Sequence, residues 1–565
     1  MNKLWQIAKK APDEFKEKFP EINPIILQLL FSRNLDTQEK IDEFLLPDYS
    51  QDLHDPFLLQ DMEKAVDRIY KAIETKEKIV ICGDYDTDGI TSSAILLTIF
   101  QKLGVEDITT YIPDREIEGY GLSEKMVKEF IKQKVNLIIT CDCGITNNKE
   151  IDLANQAGME VIVTDHHCQG KELPKAFAII NPQANREKYP FKTLAGVGVA
   201  FKFTQALLSD TRCEIENKEA AEKWLLDLVA LGTVADYMPL LGENRTLVKY
   251  GLVVLNKTTN LGIRSLVEKS GLELGNLNTG NITFQLSPRI NAAARIKHAD
   301  EALNLILAKN PFEADEYAEH LNAFNLTRQQ LVEQTFRKIK SDIGDDPKEM
   351  ILVSLGEYPK GVLGLCASRL LDKYSRPALV LTKRKNEIIG SGRSLPNFNL
   401  HQVLSLLKKY LIRFGGHPGA AGLTISPDKF EEFKKEILKI GKKQLKKQDL
   451  VSKIRIDAHV ELNDIDWSLY EELVKFEPFG RDNWQPNLLL TSVYLKGKQM
   501  VGKIEQHCRL IIDQGKKMIY FGSNHKMEGI KIGDKIDIVF QLDINQWNGI
   551  RELQLKVIDL RKCKM

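Results

Sequence analysis

Three short acidic segments, each placed directly after an apolar run, constrain this chain more than any other feature. The segments are Asp84-Tyr85-Asp86-Thr87-Asp88-Gly89, Asp142 and Asp165-His166-His167, and the runs before them are Ile79–Cys82, Val135–Thr140 and Val161–Thr164. Carboxylates this close together repel one another unless cations lie among their oxygens. The pattern therefore indicates a metal site at the ends of three strands.

The arrangement of the predicted elements brings those three segments together. From Lys78 to about Pro182, short β-rich runs alternate with helical patterns. This alternation predicts an α/β fold with a mostly parallel sheet and helices on both faces. Ligands bind beyond the carboxyl ends of the strands in such sheets. The acids and imidazoles are therefore expected at one edge of one sheet.

The rest of the chain divides into further predicted segments, since 565 residues suit three or four domains. We predict a helical lead-in over residues 1–50, a catalytic α/β domain over 51–300, a long connecting helix over 301–345, a smaller α/β domain over 346–450 and a β-barrel over 451–565. The barrel prediction depends on short β runs separated by Gly, Asn and Asp.

Composition limits the class of protein. Hydrophobic residues make up 43% and charged residues 28% of the chain, which is typical of a globular protein. The net charge is +1, so affinity for nucleic acid must come from local basic surfaces. No apolar run approaches the ~18 residues of a membrane span, no signal peptide is visible and the cysteines are scattered. We expect a cytoplasmic protein with reduced thiols and no membrane partner.

A calcium loop, structural zinc and helix capping fit the acidic segments less well. An EF-hand loop starting at Asp84 needs a bidentate Glu at its twelfth position, which is Ile95. Structural zinc favours Cys pairs separated by two to four residues, and neither Cys141-Asp142-Cys143 nor His166-His167-Cys168 has that spacing. Helix capping explains one Asp but not three. Oxygen ligands with a few imidazoles suit Mn²⁺ or Mg²⁺ better than Ca²⁺ and exclude Zn²⁺ less clearly.

Seven segments together resemble a known family. Four of these segments resemble the metal-binding motifs of the DHH phosphoesterase superfamily: Asp84–Gly89, Asp142–Ile145, Asp165–His167 and Val234–Asp236. The other three segments resemble motifs of the RecJ branch of that superfamily: Ser287–Arg295, Ser391–Arg393 and Gly415–His417. The motifs occur in family order, and with the barrel they span nearly the whole chain. The resemblance implies a DHH catalytic domain, a DHHA1-like substrate-binding domain and an OB-like single-strand-binding domain.

The resemblance also implies an activity. Enzymes of the RecJ branch degrade single-stranded DNA from the 5′ end to mononucleotides, with two Mn²⁺ or Mg²⁺ ions, in DNA repair and recombination. The implied partners are single-stranded DNA with a 5′ end, and a single-strand-binding protein or a helicase, with the enzyme as a monomer. Two alternatives stay open. A DHH phosphodiesterase for short oligonucleotides or cyclic dinucleotides usually lacks the barrel, and a DNA-binding scaffold without metal would not need complete motifs.

The resemblance assigns a role to each motif residue. The expected catalytic residues are Asp84, Asp86, Asp88, Asp142, His166, His167, Asp236 and His417. The expected metal ligands among them are Asp86, Asp88, Asp142, His166 and Asp236, with Asp142 bridging and Asp84 a ligand or a partner of one. Asp165 is expected to orient an imidazole. His167 and His417 are expected at the scissile phosphate.

Substrate contacts are assigned in the same way. They fall on Arg115, Tyr120, Arg295, Ser391, Arg393, Gly415 and Gly416. The arginines and Ser391 are expected to bind the 5′-terminal phosphate, because guanidinium forks match phosphate oxygens. Tyr120 is expected to stack a base. Cys82 stands where other DHH phosphoesterases often have a metal-binding His, so the group that completes the first metal site is left open.

Overall fold

The computed structural model describes residues 3–502, 505–523, 526–547 and 550–563. The chain forms two compact units. The smaller combines residues 1–53, 239–249 and 453–565, and the larger combines 54–238 and 250–452. Within the described ranges, no helix has the length and apolar character needed to cross a membrane. The boundaries predicted for the individual domains stay predictions.

The N-terminal segment is mostly helical, as predicted, but opens with a strand. Its elements are β1 (Leu4–Ile7), α1 (Asp13–Lys18), α2 (Pro24–Phe31) and α3 (Gln38–Leu45). Asn23 begins α2 by accepting a hydrogen bond from the backbone N–H of Ile25, and Pro24 occupies the first helical position. The apolar faces of these helices share one hydrophobic core with the C-terminal barrel, in the smaller unit.

Strands and helices alternate through the first part of the larger unit. The elements are α4 (Met62–Glu74), β2 (Ile79–Gly83), α5 (Thr87–Lys102), β3 (Ile108–Tyr111), α6 (Glu124–Lys132), β4 (Leu137–Cys141), α7 (Asn148–Gln156), β5 (Glu160–Thr164) and β6 (Ala178–Ile180). The strand order is β3-β2-β4-β5-β6, and all pairings are parallel. Gly83 pairs with Cys141 and Cys141 with Thr164, so the residues after these three strands emerge side by side.

A largely helical region follows the parallel sheet. It contains α8 (Gly196–Ser209), α9 (Lys218–Lys223), α10 (Leu226–Ala235), α11 (Gly242–Leu255), α12 (Leu261–Lys269), the short α13 (Thr279–Asn281), a π-helical turn (Ile282–Leu286), α14 (Ser287–Ile296), α15 (Asp300–Ile306) and α16 (Pro311–Ile343). The single helix predicted over residues 301–345 is therefore two helices. Asn310 caps α16 by accepting from the N–H of Glu313, and Pro311 follows it, so a new helix begins there.

The second α/β domain brings two of the predicted motifs to the same level of a mixed sheet. Its elements are β7 (Leu352–Gly356), α17 (Leu363–Tyr374), β8 (Ala378–Lys383), β9 (Ile388–Arg393), α18 (Leu400–Leu406), β10 (Leu411–His417), β11 (Ala420–Ile425) and α19 (Phe430–Gln444). The strand order is β10-β11-β9-β8-β7. Gly422 of β11 pairs with Ser391 on one side and with Gly415 on the other.

The C-terminal region is a closed β-barrel. Its elements are β12 (Lys453–Ile456), β13 (Ala458–His459), α20 (Trp467–Val474), β14 (Leu488–Val501), β15 (His507–Ile512), β16 (Lys517–Tyr520), β17 (Lys535–Trp547) and β18 (Ile550–Lys562). Five strands run in the order β14-β15-β16-β18-β17, and the pairing of β14 with β17 closes the barrel. β12 pairs in parallel with β1. The predicted fold class is confirmed.

One buried arginine joins three segments of the smaller unit. Arg245 is 2% exposed. Its guanidinium donates hydrogen bonds of 2.8–2.9 Å to the backbone carbonyls of Phe44, Lys475, Phe476 and Glu477. This charged group bonds four carbonyls, of which those of Phe44 and Phe476 are buried. It thereby connects the N-terminal helices and the start of α11 to the segment after α20.

Candidate metal centre and phosphate pocket

The loop after β2 supplies the first three carboxylates. Asp86 caps α5, because its Oδ1 accepts from the N–H groups of Asp88 at 2.9 Å and Gly89 at 3.2 Å. The Asp88 oxygens accept from Gly196 at 2.7 Å and Val197 at 2.8 Å, the first two residues of α8. These bonds hold two of the three carboxylates in set orientations.

Asp142 follows β4 in an unusual backbone conformation. Its φ is +59°, in the left-handed region that residues with a side chain seldom adopt. Its carboxylate lies against the start of α8, where a Cβ on Gly196 would come within 2.7 Å of the Asp142 Cβ. Only glycine fits there. No motif in the sequence linked Gly196 to Asp142, and the one available signal was a glycine at a helix start.

His166, after β5, lies among three carboxylates. Its Nε2 is 3.1 Å from Asp142 Oδ1, 3.6 Å from Asp236 Oδ2 and 3.9 Å from Asp88 Oδ2. Burial first, and then the charge of His167, lower the pKa of His166 to about 4. The ring is therefore neutral near pH 7, the form in which imidazole binds metals.

His167 is held by a buried carboxylate. Asp165 Oδ1 lies 2.8 Å from His167 Nδ1 and accepts the backbone N–H groups of His166 and His167 at 2.7 and 3.0 Å. Burial opposes ionisation of both groups, but their hydrogen bond outweighs it: the pKa of Asp165 is lowered and that of His167 is raised to about 9. The pair is therefore an imidazolium and a carboxylate.

The assembled donors form three overlapping sets. They are Asp84/Asp86/Asp142, Asp142/His166/His167 and Asp88/His166/Asp236, and within each set the ligand atoms lie within 4.8 Å of one another. Asp142 belongs to two sets, and His166 also belongs to two. Together the sets bring all of the predicted ligands into one place, with Asp84 as an additional donor. Their assignment as metal ligands stays a prediction.

The electrostatics of the donor group favour bound cations. Burial first, and then nearby carboxylates, raise the pKa values of Asp84 and Asp142 well above the usual range and that of Asp88 to about 7. Among the described residues, Asp84 Oδ1, Asp142 Oδ1 and His166 Nε2 are buried and make no hydrogen bond. Buried polar atoms without partners are costly. Oxygen donors with one or two imidazoles therefore fit divalent cations at this place.

Cys82 does not take the place of the missing histidine. Its side chain is buried in an apolar cluster with Val80, Phe130 and Ile138, and it belongs to none of the three donor sets. Asp84 lies two residues further along and joins the set with Asp86 and Asp142. A carboxylate from the same loop is thus available where an imidazole is missing.

A cavity of about 480 Å³ contains most of the residues predicted to bind the substrate. Its lining includes Arg115, Tyr120, Arg295, Ser391, Arg393 and Gly415. Gly416, the last predicted member, follows Gly415 on β10 and does not line the cavity. Three further lining residues, Tyr85, Lys360 and Arg413, had no predicted role in substrate binding. Tyr85 lies within the first acidic segment, whereas Lys360 and Arg413 lie outside every motif.

The guanidiniums of this cavity lie close enough to repel one another. Burial, and then neighbouring guanidiniums with Arg115 first, lower the pKa of Arg295 to about 9. Arg115 also lowers the pKa of Arg393, after burial. Arg115 itself lies over the Tyr85 ring, 4.8 Å from its centre. A bound phosphate would relieve the repulsion among these positive groups.

His417 and Tyr120 lie near the metal centre. Burial, followed by the charge of His167, lowers the pKa of His417. The Tyr120 ring is 42% exposed. Its hydroxyl lies 2.9 Å from His167 Nδ1 and 3.0 Å from the Asp142 carbonyl.

Known proteins share this combination of domains. The chain matches the DHH family N-terminal domain over residues 78–233, the DHHA1 domain over 348–443 and the RecJ OB domain over 456–559. It is 36% identical to the single-stranded-DNA-specific exonuclease RecJ of Bacillus subtilis (strain 168), over 98% of this chain and 70% of that protein. The RecJ of Escherichia coli (strain K12) is 30% identical over 99% of both chains. The chain belongs to the RecJ family.

A solved structure supports the same assignment. The crystal structure of RecJ from Thermus thermophilus in complex with Mn²⁺ is similar with a TM-score of 0.84 and 28% identity, over 100% of this chain and 80% of that one. A second structure of that protein, in complex with Mg²⁺, gives a TM-score of 0.78 at 26% identity. The resemblance identified from the motifs is therefore confirmed at the level of family and fold.

Proposed function

We propose that this RecJ-family protein is a single-strand-specific DNA exonuclease that removes nucleotides from the 5′ end. One observation carries the proposal: the donor group of Asp84 to Asp236 and the arginine-lined cavity lie in the same compact unit, and Tyr120 lines the cavity while its hydroxyl contacts His167 of the donor group. A phosphate held in the cavity would leave the following phosphodiester near the donors.

The donors divide into ligands for two Mn²⁺ or Mg²⁺ ions. Asp86, Asp88, Asp142, His166 and Asp236 would hold them, with Asp84 as a further donor and Asp142 shared, because Asp142 belongs to two of the overlapping sets. When bound, such a pair of ions activates water and stabilises charge on the phosphate. Asp88 and Asp86 keep their orientation through backbone N–H groups, so the site is largely preformed.

The imidazoles act on the phosphate side of the site. Asp165 accepts from His167 Nδ1, which leaves Nε2 of His167 directed away from this bond. His417 is exposed at the end of β10, and the charge of His167 acts on its pKa. Both rings are placed to donate to a phosphate oxygen as negative charge develops on it.

The cavity accounts for the choice of strand end. Arg115, Arg295 and Arg393, with the hydroxyl of Ser391, offer charge-assisted hydrogen bonds to a terminal phosphate dianion. Arg393 is already oriented, since its Nη1 donates to the Gly392 carbonyl at 2.9 Å and to Ser391 Oγ at 3.2 Å. A strand that continued past the cavity would place a phosphodiester there, which has one non-bridging oxygen fewer than a terminal phosphate. The cavity therefore prefers 5′ ends. Gly415 leaves room for the strand beside β10, because nothing lies within 4 Å of where its Cβ would stand. The Tyr120 ring is available to stack a base.

The barrel is proposed to bind the strand away from its end. Tyr494 is 44% exposed on β14, and the ammonium groups of Lys496 and Lys535 lie 5.0 and 5.6 Å from its ring centre. An exposed aromatic ring flanked by lysines suits base stacking together with phosphate contact. OB folds use their surfaces in this way.

Further features of the biology follow from this activity. An enzyme for single strands needs duplex opened or strands kept accessible, so a helicase or a single-strand-binding protein is the expected partner. Repair and recombination are the processes that produce such ends. We infer a monomer, because one chain supplies every donor of the site, and a cytoplasmic location, where DNA and reduced thiols are found together.

The test is a digestion with defined labels. Purified protein with Mn²⁺ or Mg²⁺ is mixed with a single strand labelled at the 5′ end, the same strand labelled at the 3′ end, and a blunt duplex. We expect early release of a labelled mononucleotide from the first substrate only. Early release from the 3′ label would contradict the polarity, and equal digestion of the duplex would contradict the strand preference. Cleavage confined to dinucleotides would favour the oligonucleotide phosphodiesterase instead.

A further inference from the structure

The loop between β3 and α6 has a backbone built to place one side chain. Gly119 and Gly121 flank Tyr120, with φ of +86° and +76°. A Cβ on Gly121 would lie 2.6 Å from Asn147 Oδ1, so the loop backbone approaches Asn147 closely. Asn147 also donates to the Leu122 carbonyl at 2.9 Å. The loop is thus held against the residue that precedes α7.

The Tyr120 hydroxyl meets two groups of the metal centre. It is 3.0 Å from the carbonyl oxygen of Asp142 and 2.9 Å from His167 Nδ1. A carbonyl can only accept, so the hydroxyl donates its hydrogen to Asp142. An ionised Asp165 can also only accept, so His167 Nδ1 carries a hydrogen, which is shared between Asp165 Oδ1 and the Tyr120 oxygen.

We propose that Tyr120 is a positioning residue for Asp142 and His167, acting through its hydroxyl. Asp142 has the left-handed backbone conformation described above, and a hydrogen bond to its carbonyl holds that conformation and therefore the direction of its carboxylate. The second contact restrains the His167 ring at Nδ1, the nitrogen that also bonds Asp165. The inference rests on the proposed function, because its importance depends on Asp142 and His167 serving the metal centre.

This role differs from base stacking, which was predicted from the sequence. Stacking uses the face of the ring, whereas positioning uses the hydroxyl. The centres of the Tyr120 and His167 rings lie 5.5 Å apart, with 74° between the ring planes, and Tyr120 is 42% exposed. Replacing Tyr120 with Phe removes the hydroxyl and keeps the ring, so the two roles separate in one variant.

The experiment compares Tyr120→Phe with Tyr70→Phe in the full chain. In the control, the Tyr70 hydroxyl donates to the Leu207 carbonyl at 2.8 Å. Leu207 lies about 16 Å further along α8 than Gly196, the residue that packs against Asp142. Each variant thus loses one hydroxyl-to-carbonyl hydrogen bond in the larger unit. We measure kcat and KM on a 5′-phosphorylated single strand, and Mn²⁺ binding by electron paramagnetic resonance without DNA.

We expect Tyr120→Phe to lower kcat and Mn²⁺ affinity by about 10–100-fold, with KM for DNA within about twofold of wild type. Tyr70→Phe is expected to keep both values. Wild-type kcat and Mn²⁺ affinity in Tyr120→Phe would overturn the proposal, as would an equal loss in Tyr70→Phe. A wild-type protein that binds Mn²⁺ but does not digest single strands would instead contradict the proposed function, while the Mn²⁺ affinities would still test Tyr120.

Discussion

Removing Arg393 should weaken recognition of the 5′ phosphate more than it slows the cleavage step. Arg393→Ala deletes one of the three guanidiniums in the cavity that are proposed to bind the phosphate. It also deletes the hydrogen bonds that Arg393 Nη1 donates to the Gly392 carbonyl and to Ser391 Oγ. A hydrogen bond to a charged group contributes about 1.5–3 kcal/mol. This corresponds to a change of about 10–150-fold in kcat/KM. Arg115 and Arg295 remain, so a reduced preference for phosphate should persist.

The assay is the ratio of kcat/KM for two strands that differ only in a 5′ phosphate or a 5′ hydroxyl. Wild type should prefer the phosphate, Arg393→Ala should lose about 10–150-fold of that preference, and the rate on the hydroxyl strand should change little. Arg393→Lys keeps the charge but not the planar fork, so an intermediate ratio is expected.

A matched control comes from the same domain. Arg369 lies on α17 and its Nη1 pairs with Glu333 at 2.7 Å, with 45% of its side chain exposed. Arg369→Ala removes the same charge from the protein and should leave the ratio unchanged. An unchanged ratio in Arg393→Ala would remove this residue from the phosphate site. Equal effects in both variants would show that overall charge, not the cavity, sets the preference.

Three further changes test different parts of the structure. Asp142→Asn should abolish cleavage, and a folded and active variant would refute the bridging role. Without metal, the thermal midpoint of this variant should be at or above that of wild type, because burial and neighbouring carboxylates raise the Asp142 pKa and so disfavour its charged form. Asp165→Ala should weaken Mn²⁺ binding by about 10–100-fold, with activity partly restored at higher Mn²⁺, and no recovery would point to another role. Arg245→Met should lower the free energy of unfolding of the smaller unit by at least about 4 kcal/mol in urea titration, because four carbonyls lose their donor, whereas Lys249→Met should cost less than about 1 kcal/mol.

Several features were predictable because they depend on local patterns. Apolar runs of about five residues predicted the parallel strands, and the residues after each run predicted which acids would meet at one edge. The barrel followed from short strands separated by turn residues. The break between α15 and α16 was missed even though Asn310 and Pro311 signal a helix start.

Some features of the site had no local signal. Tyr120 carries an exposed ring at a glycine-rich loop, which predicts stacking, yet its hydroxyl contacts depend on Asp142 and His167, 22 and 47 residues away. Arg413 and Lys360 line the cavity only because two domains of one unit meet there. Gly196 is required by the Asp142 side chain across the sheet edge.

By itself, the sequence determined the family, the order of the motifs and which strand ends carry the acids and imidazoles, because strand direction and side-chain type are properties of short segments. The tertiary structure decided which of these groups share a donor set, that Asp84 rather than Cys82 adds a donor, and that residues 1–53 and 239–249 join the barrel in one unit. The reason is physical. Burial, hydrogen-bond geometry and charge repulsion act between side chains that are distant in the chain, and their distances exist only after the elements have packed.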